Sequence, residues 1–379
     1  MTKLTTTGSF SLLAVASLTI MVGCVIVPGL PSIATALGVE NGASWLITLP
    51  SLGVILLAPL ASRTIERIGL HKGLCLGLFL YGLLGSVGMF LQGPTSVFTD
   101  RLLLGGVTAL VMAAGTGLIS EFYEGHERLT MIARQGMSIE LGGVIFLFIG
   151  GVLASEGWQW PFLLYLVAWL FLGLVVLFIP APHHSLSKTD SEDSQTPISK
   201  ALAFVFIAAA LSMVAFFTGV IMLPLRLHDL GLREAQVGYF LSFTSLVAVG
   251  AAALMPRAAR KLGEHGTLAF AFVFYGLAHL AFATADGLTL MIEGGICLGL
   301  GFGFSIPLVN HMTIERSRVQ RARNLGYLSM AIFGGQFLSS FMEFLPGGQS
   351  LMFAYAAVIC FLAATATMLQ RRYRAASNT

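Results

Sequence analysis

Twelve apolar runs, each about 20 residues long and parted by short polar breaks, fill almost the whole of this 379-residue chain. A run of that length is what an α-helix needs to cross the hydrocarbon core of a bilayer, where only internally hydrogen-bonded backbone survives. The runs are read at Phe10–Leu37, Ala43–Ser62, Gly73–Leu91, Thr95–Ser120, Gly136–Ala154 and Trp160–Ile179, then Ala201–Leu223, Val237–Met255, Thr267–Ala285, Leu288–His311, Leu325–Leu345 and Leu351–Leu369. Between the sixth and seventh lies Pro182–Lys200, PHHSLSKTDSEDSQTPISK, too polar to bury apolar area and expected to be a mobile linker. The fold expected is an all-α membrane protein with six spans in residues 1–181, a linker over 182–200 and six spans in 201–379.

Charge supports this. Only 10% of residues are charged and 56% are hydrophobic, against about 25% charged in soluble domains. Mean hydropathy is +0.85. With the N-terminus placed inside, eighteen of the twenty-one Lys and Arg residues fall on the cytoplasmic side, and only Arg101, Arg226 and Arg233 fall elsewhere. That asymmetry orients a multi-pass protein of the inner (cytoplasmic) membrane with both termini in the cytoplasm. The basic residues form no patch for nucleic acid, so no nucleic-acid partner is expected. Cys24, Cys75, Cys297 and Cys360 lie inside apolar runs without metal-site spacing, so neither a metal nor a disulfide framework is expected. Met21-Val22-Gly23-Cys24 faintly suggests a lipoprotein cleavage site, but the apolar run continues to Leu37, too long for a signal core.

The halves repeat at an offset of about 193 residues. Leu30-Pro31 with Leu37-Gly38 matches Leu223-Pro224 with Leu230-Gly231, Arg67-Ile68-Gly69 matches Lys261-Leu262-Gly263, and Gly142-Gly143 matches Gly334-Gly335. Duplicated six-span halves are one plan of secondary transporters.

Between spans two and three, Ala58–Lys72 (APLASRTIERIGLHK) reads as a tight loop carrying Glu66 beside Arg67. It resembles the loop of the major facilitator superfamily, Gly-x-x-x-Asp-Arg-x-Gly-Arg-Lys/Arg: Ser62 stands for the first Gly, Glu66 for the Asp, and Arg67 and Gly69 match, while Leu70 and His71 depart. Val27-Pro28-Gly29-Leu30-Pro31-Ser32 resembles the proline pair of exporters in that family. Arg101 followed by Gly105-Gly106 resembles their span 4 motif, and Trp158-Gln159-Trp160-Pro161-Phe162 the opening of span 6. The antiporter motif of span 5 is half present: Gly142, Gly150 and Gly151 fit, but Phe146 and Leu147 replace Gly-Pro. The resemblance implies two six-helix bundles related by pseudo-two-fold symmetry, and a latch in which Glu66 meets the N-terminus of span 11, where the helix dipole favours a carboxylate, while Arg67 pairs with Glu121. Positive-inside anchoring is the plainer reading of this loop, but it leaves Glu66 unexplained.

Charges inside spans cost about 2.5 to 3.5 kcal/mol on insertion scales and must pair or line water. Arg101 and Asp100 lie in span 4, and the offset carries Asp100 onto Glu293 in span 10. Both spans line the cavity in the resembled family, so Arg101 and Glu293 are expected to face one another across it; the alternative is that Arg101 pairs only with Asp100 or a neighbouring span. Glu140 in span 5 points about 200° away from Gly142 and is read as a substrate or proton site, the alternative being a pair with Arg134. Gln336, Phe217 and Phe243 complete the expected substrate and proton site. His279 is read as a packed histidine on a peripheral span, and Glu343 as interfacial.

The expected function is a secondary transporter without cofactor, not an enzyme: no Gly-x-x-x-x-Gly-Lys-Ser/Thr motif for nucleotide is present. Proton-coupled efflux of small amphipathic compounds by a monomer in the lipid bilayer is expected, the alternative being transport of a defined metabolite such as a sugar, siderophore or organic acid.

Overall fold

A computed structural model describes residues 4–181, 198–317 and 320–377. Most of the expected linker, residues 182–197, lies outside the described residues, as does Arg318. Among the described residues every regular element is helical, and the chain is an all-helical membrane protein. It divides into two compact units, Met1–Thr196 and Pro197–Thr379.

The first unit comprises α1 (Thr6–Cys24), α2 (Leu30–Leu37), α3 (Trp45–Ile68), α4 (Leu70–Val87), α5 (Pro94–Phe122), α6 (Gly125–Glu156), α7 (Trp160–Leu163) and α8 (Val167–Phe178). The second comprises α9 (Lys200–Asp229), α10 (Glu234–Thr284), α11 (Leu288–Glu315), α12 (Arg321–Leu338) and α13 (Gln349–Ser377). Among the described residues ten helices are long and apolar enough to cross a membrane, and α10, at 51 residues, is long enough to do so twice. With α12, which begins on the polar Arg321, Arg323 and Asn324, the twelve spans are accounted for.

Three boundaries differ from expectation. The first span is not continuous: Pro28 and Pro31 lack the N–H groups a helix needs, so α1 stops at Cys24 and α2 restarts with Pro31 in its first turn. α2 then ends on Gly38 in the left-handed region, φ 68°, whose N–H caps the Ala34 and Thr35 carbonyls. The loop expected over Ala58–Lys72 shrinks to one residue. Nothing in Ser62–Ile68 opposes a helix, so α3 runs on to Ile68, and only Gly69 (φ 86°, ψ 162°) breaks the path before α4. In the second unit, spans eight and nine are likewise one long helix, interrupted solely at Gly263 (φ 74°, ψ 166°).

Glycine contacts hold each unit together. In α3 and α5 the pairing is reciprocal: a Cβ on Gly53 would overlap the Leu102 carbonyl, and one on Gly105 the Pro50 carbonyl. In lipid, where burying apolar surface drives no association, such close approach supplies the dispersion contacts that hold helices together. The second unit repeats the device, with Gly299 against the Thr244 carbonyl and Gly303 against that of Ala248. Gly142 of α6 abuts Ser17 of α1, and Gly335 of α12 abuts Ala210 of α9. These two contacts are separated by one offset of 193, so the repeat read in the sequence is a repeat of packing.

Candidate functional site

Arg101 sits two turns into α5 and is 1% exposed. Its Nη1–H donates to the Tyr165 hydroxyl at 3.2 Å, and that hydroxyl donates in turn to the Val22 carbonyl at 2.8 Å, close to where α1 ends. The guanidinium lies 5.2 Å from the centre of the Phe162 ring and 5.6 Å from that of Tyr165. Asp100 Oδ2 is 3.5 Å from its Nη2, and Gly88 leaves the room in which it fits. Tyr81 adds a further tie, donating to the Leu18 carbonyl at 2.7 Å. The network pins the broken first span to spans three, four and six.

Arg101 is thus closed in by the rings of Phe162 and Tyr165 and by the Asp100 carboxylate, all of its own unit, while its Nε and Nη2 have no hydrogen-bond partner among the described residues. Asp100 is also buried, yet it borders a cavity of about 590 Å³ together with Gln92, Thr95, Ser96 and Thr99.

Glu140 lies midway along α6 and is half-buried. The residues two before and two after it face α1: Ser138 Oγ donates to the Leu13 carbonyl at 2.6 Å, and Gly142 abuts Ser17. Two residues of helix turn through about 200°, so Glu140 leaves α6 on the face opposite those two contacts, within electrostatic reach of Cys24 at the end of α1. It forms no hydrogen bond or ion pair among the described residues, and the expected alternative, a pair with Arg134, is not formed. Glu293, in the second turn of α11, is exposed and likewise in no hydrogen bond or ion pair among the described residues.

Phe217 is buried with its ring 5.5 Å from that of Phe216, Phe243 is exposed, and Gln336 is buried beside the Gly335 contact. His279 is packed as expected, 0% exposed, with Nε2 at 2.8 Å from the Ala215 carbonyl and its ring stacked on Phe353.

A model of the Major Facilitator Superfamily matches residues 10–340. The chain belongs to the Major Facilitator Superfamily. Among similar proteins, an uncharacterized transporter, YycB, of Bacillus subtilis (strain 168) is 26% identical over 310 residues, covering 80% of this chain and 76% of its own length. A protein of Agrobacterium vitis that carries the provisional name tartrate transporter is 26% identical over 250 residues, 58% of each chain. Multidrug resistance protein 2 of Bacillus subtilis (strain 168) is 23% identical over 254 residues, 63% of each. Solved folds agree along the full length: the nucleoside transporter NupG at TM-score 0.80 and 13% identity, covering 96% of this chain and 99% of its own, and the D-xylose-proton symporter at TM-score 0.74 and 17% identity, covering 95% and 96%. This facilitator is thus a membrane transporter of small molecules.

Of the expected gating residues, Ser62, Glu66 and Arg67 are exposed, Gly69 is the turn itself, and Glu121 is half-buried. The expected Arg67–Glu121 pair is absent among the described residues; neither side chain forms an ion pair. The facilitator instead carries an inter-span ion pair at the matching place in its second unit. Glu264, directly after Gly263, binds Arg316 just past the end of α11 through Oε2 and Nη2 at 2.5 Å, with His311 Nε2 3.9 Å from Oε1. Sequence reasoning missed Glu264 and Arg316, although the loop repeat ending at Gly263 pointed to that place.

Proposed function

We propose that this facilitator exports small amphipathic compounds, cationic ones foremost, in exchange for protons by alternating access. The observation that carries the reading is Glu140, a carboxyl midway along α6 without hydrogen bond or ion pair among the described residues, while Arg101 is already engaged by Tyr165 and Asp100. A carboxyl inside a span is costly and marks a substrate or proton path. It can hold a proton on one half-cycle and a cationic solute on the other. Glu293 is the second such group, with Phe217, Phe243 and Gln336 as the apolar and polar lining, and Asp100 at its cavity as a further acid. A dianion such as tartrate would need free cations at the same depth, which weighs against that relative's cargo here. We place the protein in the cytoplasmic membrane as a monomer with both termini inside, its bundles 1–181 and 201–379 joined by a cytoplasmic linker. Ser62, Glu66, Arg67, Gly69 and Glu121 are proposed as gating residues in states that bring Arg67 to Glu121.

Purified protein in proteoliposomes with an imposed pH gradient tests this. Lipophilic cations should move against their own gradient when protons run the opposite way, and tartrate should not. Concentrative tartrate transport with indifference to cations would replace this reading with transport of a defined metabolite.

A further inference from the structure

The last two turns of α10 before Gly263 carry Arg257, Arg260 and Lys261, all exposed and none in a hydrogen bond or ion pair among the described residues. Leu254, Arg257, Ala258 and Lys261 recur at three- and four-residue steps and so form one stripe along the helix. That stripe borders a cavity of about 370 Å³ whose far side is Phe304 of α11. Higher up, Gly299 and Gly303 bring α11 against the α10 carbonyls of Thr244 and Ala248; where those contacts end, Pro256 interrupts the hydrogen-bond ladder of α10. Phe304 is itself fixed, its ring 5.9 Å from Phe270 and 6.3 Å from Phe274. The nearby acid, Glu264, is occupied by Arg316 and does not neutralise the three cations. The result is a recess with three cations at its rim and an apolar wall, on the side to which the basic residues are sorted.

We propose that this recess binds a phosphate group attached to an apolar chain, the headgroup of an anionic lipid. The cations meet the phosphate by charge and hydrogen bonding, and Leu254 and Phe304 meet the first methylenes. A free inorganic phosphate would satisfy the rim and leave the apolar wall unused, which is why the lipid is favoured as the source. Each cation near an anionic membrane strengthens binding by about fivefold.

The test uses the full chain released from nanodiscs containing phosphatidylglycerol or only phosphatidylcholine, with bound lipid counted by native mass spectrometry. Replacing Arg257, Arg260 and Lys261 together by Gln should cut retained phosphatidylglycerol at least tenfold, leave phosphatidylcholine unchanged, and leave thermal unfolding unchanged. A control in which Arg63, Lys72 and Arg128 become Gln should retain the lipid, as should Arg257→Lys with Arg260→Lys. A calorimetric titration with inorganic phosphate separates the sources: phosphate binding that depends on the same three residues, without lipid retention, keeps the anion site and assigns it a soluble ligand. Equal retention by the triple variant and its control, with no phosphate binding in either protein, overturns the proposal.

Discussion

Gly69 and Gly263 hold nearly the same backbone conformation, φ 86° with ψ 162° and φ 74° with ψ 166°, and each reverses the chain between two spans in a single residue. No neighbouring atom would meet a Cβ at either position, so the need for glycine is conformational and not steric.

Gly69→Ala and Gly263→Ala should therefore each destabilise the protein by about 1 to 2 kcal/mol, the cost of forcing a Cβ into positive φ. Asn tolerates the left-handed helical region but not positive φ combined with ψ near 165°, so Gly69→Asn and Gly263→Asn should recover none of the loss. Thermal unfolding in detergent measures both; an alanine variant that melts with the wild type would show that the turn can be made another way.

The α3–α5 crossing makes a steric prediction. Gly105→Val puts a branched side chain where the Pro50 carbonyl already lies, so the helices must separate and folded yield should collapse. Gly115→Ala, ten residues further along α5 with nothing within 4 Å of its Cβ, should be neutral or slightly stabilising through helix propensity. Monodispersity on size exclusion compares the pair.

Tyr165→Phe removes both the hydroxyl that Arg101 donates to and the donor to the Val22 carbonyl. With a buried charge among the losers, a cost of about 1.5 to 3 kcal/mol is expected. A network that only braces the bundle predicts that apparent substrate affinity is retained in whatever protein folds. A large rise in KM with unchanged melting would instead return Arg101 to the substrate path.

Coupling is read at Glu140. Glu140→Gln cannot release a proton at any pH, so transport driven by a pH gradient should be lost while exchange of substrate across the membrane without a gradient persists. Glu293→Gln should act in the same direction. Gradient-driven accumulation at wild-type level in both variants would rule these carboxyls out as proton carriers.

Glu264 and Arg316 make a partly exposed pair, so a double-mutant cycle with Glu264→Gln and Arg316→Gln should give a coupling of about 1 kcal/mol or less. The functional effect should be larger than the stability effect, since the pair ties the span 8–9 turn to the end of span 10: turnover should change while melting hardly moves.

The number of spans, the duplicated halves and the place of the turns were legible in the sequence because a bilayer punishes every unsatisfied backbone group and every stray charge. That rule needs only a count of apolar residues and a tally of Lys and Arg. The repeat of the Gly142-Gly143 pair at Gly334-Gly335 was visible for the same reason, since residues that let helices touch must recur when the bundle recurs, although in the packing the counterpart of Gly142 is Gly335, one residue from the sequence match. The finer boundaries were not legible. Ser62–Ile68 is polar enough to suggest a loop, yet a helix projecting beyond the apolar run satisfies its own backbone, and only the positive φ of Gly69 marks where it stops. Tertiary structure alone decided which of the buried charges are partnered. Arg101 and Glu140 look alike as charges inside apolar runs, but one is enclosed by Tyr165, Phe162 and Asp100 while the other is left without a partner among the described residues. Pairing depends on which helix faces which, and helix rotation is set by the glycine contacts of the whole bundle and not by the residues beside the charge.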